Sequence, residues 1–295
     1  MGEHVLMRAL EAVEKAATTA RTIGVSYSAA RTLEFLLLQT RPTAWWYWRV
    51  APDVYRWRYG RRLREYDAPL DPFKIEEVSP ASVHRYSGID QPYQARKELF
   101  GAVENGGWDR RQVVSDSESD RRYEELFLGE SFDESLFHTS MEAHFLGGVP
   151  WEETSFVRTV LRFVETGPPI WHGCTSREDV IDRCRALDEL YGTIASEGYE
   201  SRMNCRRRRP RFDEPFGFLG RVCDEVIVDI GRDGELLLAD GRHRLSIAKL
   251  LDLESIPVAF VVRHEEWMAT REAVFRGEVT PQRPIHPDLR EILST

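Results

Sequence analysis

The chain has 295 residues, of which 42% are hydrophobic and 30% are charged, and its formal net charge at pH 7 is -9. This composition is ordinary for a globular protein with a core large enough to fold without disulfides or structural metals. The acidic balance argues against a general nucleic-acid coat protein, although it is compatible with a local basic patch. The four cysteines form no C-x-x-C pair, so we expect scattered reduced thiols rather than a zinc site.

No targeting signal is recognisable at the start of the sequence. The first four residues lack the basic region of a signal peptide, and apolar runs such as residues 35–38 are too short to cross a bilayer. We therefore expect a cytoplasmic protein.

Residues 1–70 are predicted to form a helical extension rich in aromatic residues and arginine. Apolar residues recur with helical spacing over 3–17, and a second helix is expected over 28–39. Tryptophan, tyrosine and arginine then alternate through residues 43–66. Three interpretations stay open: the rings pack on the main domain under arginine stems, they meet an anionic membrane surface, or they stack on nucleobases.

Residues 71–201 carry a few clear elements. A strand is expected over 73–78, followed by a helix start at Ser79-Pro80. Residues 87–135 read as loop or insertion, 135–167 as two helices, and 176–197 as a helix capped by Ser176. The arginine-rich stretch 202–211 is either a solvated loop or a rim that attracts anions.

The C-terminal third has the strongest local signals. Residues 224–241 predict a β-hairpin around an Asp-Gly turn, and a short helix is expected over 246–251. A buried strand is predicted over 256–262 and a closing helix over 265–275, with an irregular tail from 281.

Basic residues crowd the point where the second hairpin strand becomes a helix. Asp240 and Gly241 end the strand, and Arg242, His243 and Arg244 follow at once. Glycine permits a sharp turn and a close ligand approach, and a helix N-terminus presents unpaired N–H groups and a positive dipole end. We predict an anion site here, phosphate first of all. The alternative is that Asp240 pairs with one of the arginines and stiffens the turn.

The residues from 225 to 262 resemble the ParB/sulfiredoxin-like superfamily, whose members include ParB partition proteins, sulfiredoxins and free-serine kinases. The resemblance rests on the pattern strand, D-G-x-H-R (240–244), helix, I-P-V strand. It implies an α/β domain over 71–275, with a small mixed sheet, flanking helices and an insertion at about 87–175. Residues 276–295 would then be a C-terminal tail.

The resemblance also implies a nucleotide site that grips phosphates with five residues: Gly241, Arg242, His243, Arg244 and Ser246. Asp240 would orient Arg244 or help to hold Mg²⁺, and ATP or CTP would be the nucleotide. Glu76 or Glu77, at the end of the first predicted strand, would be the general base.

The match to each branch of the superfamily is partial. ParB motifs read G-E-R-R-x-R-A, and here Arg242 replaces the glutamate and His243 the first arginine. Sulfiredoxin motifs read G-G-C-H-R, and Arg242 replaces their reactive cysteine, which argues against sulfiredoxin chemistry. The free-serine kinases are the most similar, because their motif also places an aspartate before the glycine and a His-Arg pair after it.

Two functions compete on these grounds. One is a nucleotide-dependent phosphotransferase or hydrolase that acts on a phosphorylated small molecule. The other is a non-catalytic module that meets DNA or a membrane surface through residues 43–66 and 202–211. A metal hydrolase ranks third, because His138 and His144 lie six residues apart and miss the i, i+4 spacing of a helical zinc motif.

Overall fold

The computed structural model describes residues 33–34, 36–38, 40–90, 93–114, 121–201, 203 and 217–293. The helix predicted over 3–17 lies outside the described residues. So does the arginine-rich loop at 202–211, apart from Met203.

A mixed six-stranded sheet forms the centre of the protein. Its strands are β1 (Ile75–Val78), β2 (Val83–Tyr86), β3 (Ala102–Glu104), β4 (Val226–Ile230), β5 (Leu236–Asp240) and β6 (Ile256–His264). The main path is β1-β6-β4-β5-β2, and β3 pairs with the second half of β6. The α/β class predicted from the sequence is confirmed.

The strands run in both directions. β4 and β5 form the predicted antiparallel hairpin, with Ile230 opposite Leu236. β6 lies parallel to β4 on the other side, and β1 pairs antiparallel with the first half of β6. The sheet is therefore assembled from residues that are up to about 180 positions apart in sequence, as between Glu77 and Pro257.

The helices within the described ranges are α1 (Arg41–Gly60), α2 (Tyr93–Arg96), α3 (Arg121–Phe127), α4 (Leu136–Phe145), α5 (Ser155–Thr166), α6 (Arg177–Glu197), α7 (Gly217–Val222), α8 (Arg242–Leu250), α9 (Glu265–Phe275) and α10 (Arg290–Leu293). The long helix α6 begins with a capping box in which Ser176 and Asp179 exchange hydrogen bonds. Thr154 caps α5 with its side chain, which accepts a hydrogen bond from the Val157 N–H.

Apolar side chains cover both faces of the sheet. Alternate strand residues contribute to two cores: Val228 and Leu238 belong to one, Leu237 and Val261 to the other. The first core packs against α4, α5, α6 and α8, and the second packs against α1 and α7. This burial on both faces explains why β6 reads as a continuous apolar run rather than an alternating one.

Two strands were not predicted. Residues 83–86, expected to continue a helix, form β2, and Ala102–Glu104, expected within an insertion, forms β3. Both are short and pair with strands distant in sequence, β5 and β6. Local patterns of three or four residues cannot show such pairing, because it is tertiary contact that stabilises it.

The segment predicted as an irregular tail contributes to the interior. Asp288 is 4% exposed, and its carboxylate accepts hydrogen bonds from Arg263 and from the Trp267 indole. Arg271 lies within 3.5 Å of the same carboxylate. A buried carboxylate between two arginines fastens residues 287–293 to β6 and α9.

Candidate functional site

The junction between β5 and α8 depends on one glycine. Gly241 has φ +92°, and a Cβ placed on it would lie 2.9 Å from the Cα of Val226 in β4. The Gly241 N–H donates to Asp240 Oδ1 at 2.7 Å. α8 therefore starts at Arg242, directly after the strand, because Gly241 supplies a left-handed turn that other residues adopt at a cost.

Arg242 points into the protein. It is 8% exposed, and its guanidinium carbon lies 4.0 Å from the centre of the Phe127 ring in α3. The ring of Tyr86 in β2 is 6.0 Å away. A desolvated cation over aromatic faces stabilises the contact between α8 and the helices of the first core.

Arg244 points to the other side of α8. Its Nη2 donates to Asp224 Oδ1 at 2.5 Å. It also lies beside Tyr199, whose pKa burial raises to about 12 while the Arg244 charge opposes that rise. Since residues two positions apart on a helix diverge by about 200°, Arg242 and Arg244 lie on opposite sides of α8 rather than around one shared point.

His243 lies between the two arginines in sequence and accepts a hydrogen bond on Nε2. The Trp171 indole N–H donates to that nitrogen at 3.3 Å, and the Phe137 ring packs edge-on at 5.2 Å. Burial, then the charges of His172, Arg242, Arg244 and Arg183, lower the pKa of His243 well below its ordinary value. The imidazole is therefore neutral at pH 7, with its proton on Nδ1.

A tight loop brings a second histidine to His243. Ile170 and Cys174 exchange backbone hydrogen bonds, and between them Trp171 and His172 have φ +47° and +64°. Left-handed backbone at two consecutive non-glycine residues is costly and persists only where the surroundings enforce it. The exposed His172 ring ends 5.1 Å from that of His243.

Helix α6 contributes an exposed arginine, Arg183, beside these two histidines. Arg183 donates from Nη2 to the carbonyl of His172 at 3.5 Å, and its charge contributes to the lowered pKa of His243. We call His172, Arg183 and His243 the histidine rim. It combines two imidazoles and a solvent-exposed guanidinium at the N-terminal end of α8.

Ser246 points away from the rim. Its hydroxyl is fully buried and lies 2.9 Å from Nδ1 of His138, whose Nε2 is 3.8 Å from Asp133. The three residues have the order of a catalytic triad, but a serine with 0% exposure cannot reach a substrate carbon. The hydrogen bond instead fastens α8 to α4.

The two predicted base residues lie elsewhere on the sheet. Glu76 pairs with Lys74 and with Arg290, and Glu77 accepts a hydrogen bond from the Ser255 hydroxyl at 3.0 Å. β1 is three strands from β5 along the sheet. At about 4.8 Å per strand this is roughly 14 Å, so the structure does not bring either carboxylate to the junction.

Sequence reasoning did not assign His172 or Arg183 to this site. Residues 170–174 read only as a histidine near a cysteine, and Arg183 is one arginine among several on α6. Their approach to α8 depends on how α6 packs against α5 and α8, for which no local motif exists.

Within the described ranges no group of three or more histidine, cysteine, aspartate or glutamate side chains could hold a metal ion. Across the same ranges, none of the helices combines the length and apolar character needed to cross a bilayer. Compared with known proteins, the chain matches no family model, no curated protein and no solved structure.

Proposed function

We propose that the chain binds a phosphate-bearing small molecule, a nucleotide foremost, at the histidine rim. The observation that carries this proposal is geometric: the exposed His172 ring lies 5.1 Å from that of His243, and the exposed Arg183 donates to the His172 carbonyl. These groups meet at the N-terminal end of α8, where the helix dipole adds positive potential.

An anion is the ligand that complements this arrangement. A phosphate placed beside the exposed Arg183 guanidinium is attracted by that charge and by the positive end of the α8 dipole. Arg183 and His172 are exposed and can contact phosphate oxygens directly. Arg242 and Arg244 are held by protein groups and would act through their charge at longer range.

The resemblance to ParB/sulfiredoxin-like proteins supports the same proposal. In that superfamily the glycine-histidine-arginine junction holds nucleotide phosphates, and Gly241, His243 and Arg244 occupy the matching positions. ATP and CTP are therefore the first ligands to test. Since the described residues offer no cluster of metal ligands, any Mg²⁺ would be held mainly by the nucleotide.

Binding is proposed ahead of phosphoryl transfer. Transfer to a hydroxyl would need a carboxylate beside the rim, and Glu76 and Glu77 are engaged about three strands away. Asp240 is the carboxylate at the junction itself, and it accepts the Gly241 N–H.

A thermal-shift screen tests the proposal. The protein would be mixed with ATP, ADP, CTP, GTP or inorganic phosphate, with and without Mg²⁺. A ligand at about 100 times its dissociation constant should raise the melting temperature by about 5 °C. Arg183→Ala should abolish most of that shift, whereas Arg185→Ala, an exposed arginine on the same helix, should retain it.

A second pair of variants separates the rim from general surface charge. His172→Ala should weaken binding, and His84→Ala, an exposed histidine on β2, should not. No shift with any ligand, or equal shifts in all four variants, would contradict the proposal.

A further inference from the structure

Helix α1 has one buried face and one exposed aromatic face. Tyr47, Ala51 and Tyr59 are 2% to 7% exposed and pack on the second core. On the outward side, large apolar residues are exposed by half or more of their surface: Trp45 66%, Trp46 52%, Val54 51% and Trp57 62%.

These exposed residues form one strip along the helix. Trp46 and Trp57 are eleven positions apart, so they project within about 20° of each other over roughly 16 Å. Val54 lies about 80° from Trp46 around the axis and Trp45 about 100° on the opposite side, so the strip spans about half of the helix surface. Scattered exposed apolar residues are ordinary, but three largely exposed tryptophans on one half of a helix mark a binding surface.

Arginines flank the strip. The guanidinium of Arg49 lies 5.5 Å from the Trp45 ring, and that of Arg61 lies 5.5 Å from the Trp57 ring. Asp53 is the acidic residue on this face, and Arg56 approaches it to 3.9 Å. The face is therefore locally basic on a chain whose total charge is -9.

We propose that this face of α1, the α1 tryptophan face (Trp45, Trp46, Arg49, Val54, Trp57 and Arg61), docks on an anionic lipid surface. The helix would lie in the plane of the interface, with indoles at the headgroup level and arginines on lipid phosphates. Amphipathic indoles beside guanidiniums are the side chains that favour this layer, and the local charge is complementary to anionic headgroups.

Lipid fits this face better than single-stranded nucleic acid does. Base stacking needs open ring faces, and here Arg49 and Arg61 lie over Trp45 and Trp57. Val54 adds an aliphatic contact that suits the acyl boundary rather than a nucleobase.

The surface is separate from the histidine rim. α1 packs on the second core, whereas α8 packs on the first, so the sheet lies between them. Loss of one activity would leave the other measurable.

Co-sedimentation of the full chain with vesicles tests this inference. Phosphatidylcholine vesicles would be compared with vesicles that also contain phosphatidylserine, at low and high salt. We expect binding to the anionic vesicles, weakened by salt. The double variant R49A/R61A should bind about 30-fold more weakly than the wild type. The double variant W46A/W57A should bind at least about tenfold more weakly.

Matched controls use exposed residues elsewhere. R177A/R185A removes two exposed arginines of α6, and L146A/F275A removes two exposed apolar side chains. Both should bind like the wild type. Circular dichroism should show all four double variants folded, since every changed side chain is exposed.

Several results would overturn the inference. They are equal binding to neutral and anionic vesicles, no binding to either, unchanged binding in the α1 variants, and retention on a single-stranded oligonucleotide in place of vesicles. Self-association that W46A/W57A abolishes would assign the face to a second copy of the chain and would also overturn it.

Discussion

The junction of α8 and the outward face of α1 use the same residue types in opposite ways. At the junction, Arg242 is 8% exposed over Phe127, and Arg244 is held by Asp224. On α1, Arg49 and Arg61 lie over tryptophans that are more than 60% exposed. Arginine beside an aromatic ring is therefore internal structure in one place and open surface in the other, and burial decides which.

Because the two regions differ in burial, substitutions in them should affect different properties, stability at the junction and binding on α1. Changes at the junction should lower the free energy of unfolding, because groups there are desolvated and paired. Changes on the α1 tryptophan face should leave folding intact and alter binding alone.

The largest expected effect is at Gly241. Gly241→Ala adds a Cβ 2.9 Å from the Val226 Cα and forces alanine to φ +92°. We expect a loss of about 3 kcal/mol in the free energy of unfolding, measured by urea denaturation. Gly277→Ala is the matched control: Gly277 also has a positive φ, +73°, in the turn that ends α9, and there is open space around its Cβ, so it should cost about 1 kcal/mol. Equal losses would show that the contact with β4 is unimportant.

Acid should destabilise the protein through its buried histidines. Burial lowers the pKa of His138 and of His243, and it lowers that of His286 to about 4. Below about pH 6.5 the unfolded chain takes up protons that the folded chain does not, so stability falls as the pH falls. His286 alone should remove about 2 kcal/mol by pH 5.

Urea denaturation at pH 7, 6 and 5 measures this slope. His286→Gln keeps a polar side chain without the titration, so its slope should be shallower than that of the wild type. A stability independent of pH over this range would contradict the buried, neutral state of these rings.

A matched pair of arginine substitutions compares the two regions directly. Arg242→Met removes the charge from the buried contact with Phe127 and should cost about 2 kcal/mol. Arg49→Met removes an exposed contact with Trp45 and should change stability by less than about 0.5 kcal/mol. Similar costs for both would remove the distinction between the regions.

The smallest expected effect is on α1 itself. Trp57→Ala removes a ring that is 62% exposed, so the free energy of unfolding should stay within about 0.5 kcal/mol of the wild type. Tyr59→Ala, two residues on, removes a ring that is 2% exposed and should cost about 3 kcal/mol or more. A large loss from Trp57→Ala would mean that the face is covered in the folded protein.

The sequence predicts the local elements well and the long-range contacts poorly. The hairpin of β4 and β5, the buried β6, and the helices α6 and α9 were all predicted, because alternation, an Asp-Gly turn and capping residues are local signals. β2 and β3 were missed, since three or four residues gain their stability from partners far along the chain.

The turn from β5 into α8 was predicted, but the arrangement of the side chains around it was not. Gly241 does turn the chain into α8 as its place in the sequence indicates. The two arginines were expected to converge, and instead they diverge around the helix. His172 and Arg183 complete the rim from a loop and a helix that no motif connects to it.

The most direct test of the histidine rim is nitrogen-15 NMR of the histidine side chains, with His172 assigned by His172→Ala. Spectra would be recorded near pH 7 while ATP or inorganic phosphate is added. Our account predicts that His243 is neutral with its proton on Nδ1, and that the His172 resonances move with added ligand while those of His138 do not. A His172 ring that stays unchanged at saturating ligand, or a His243 ring that is protonated at this pH, would contradict it.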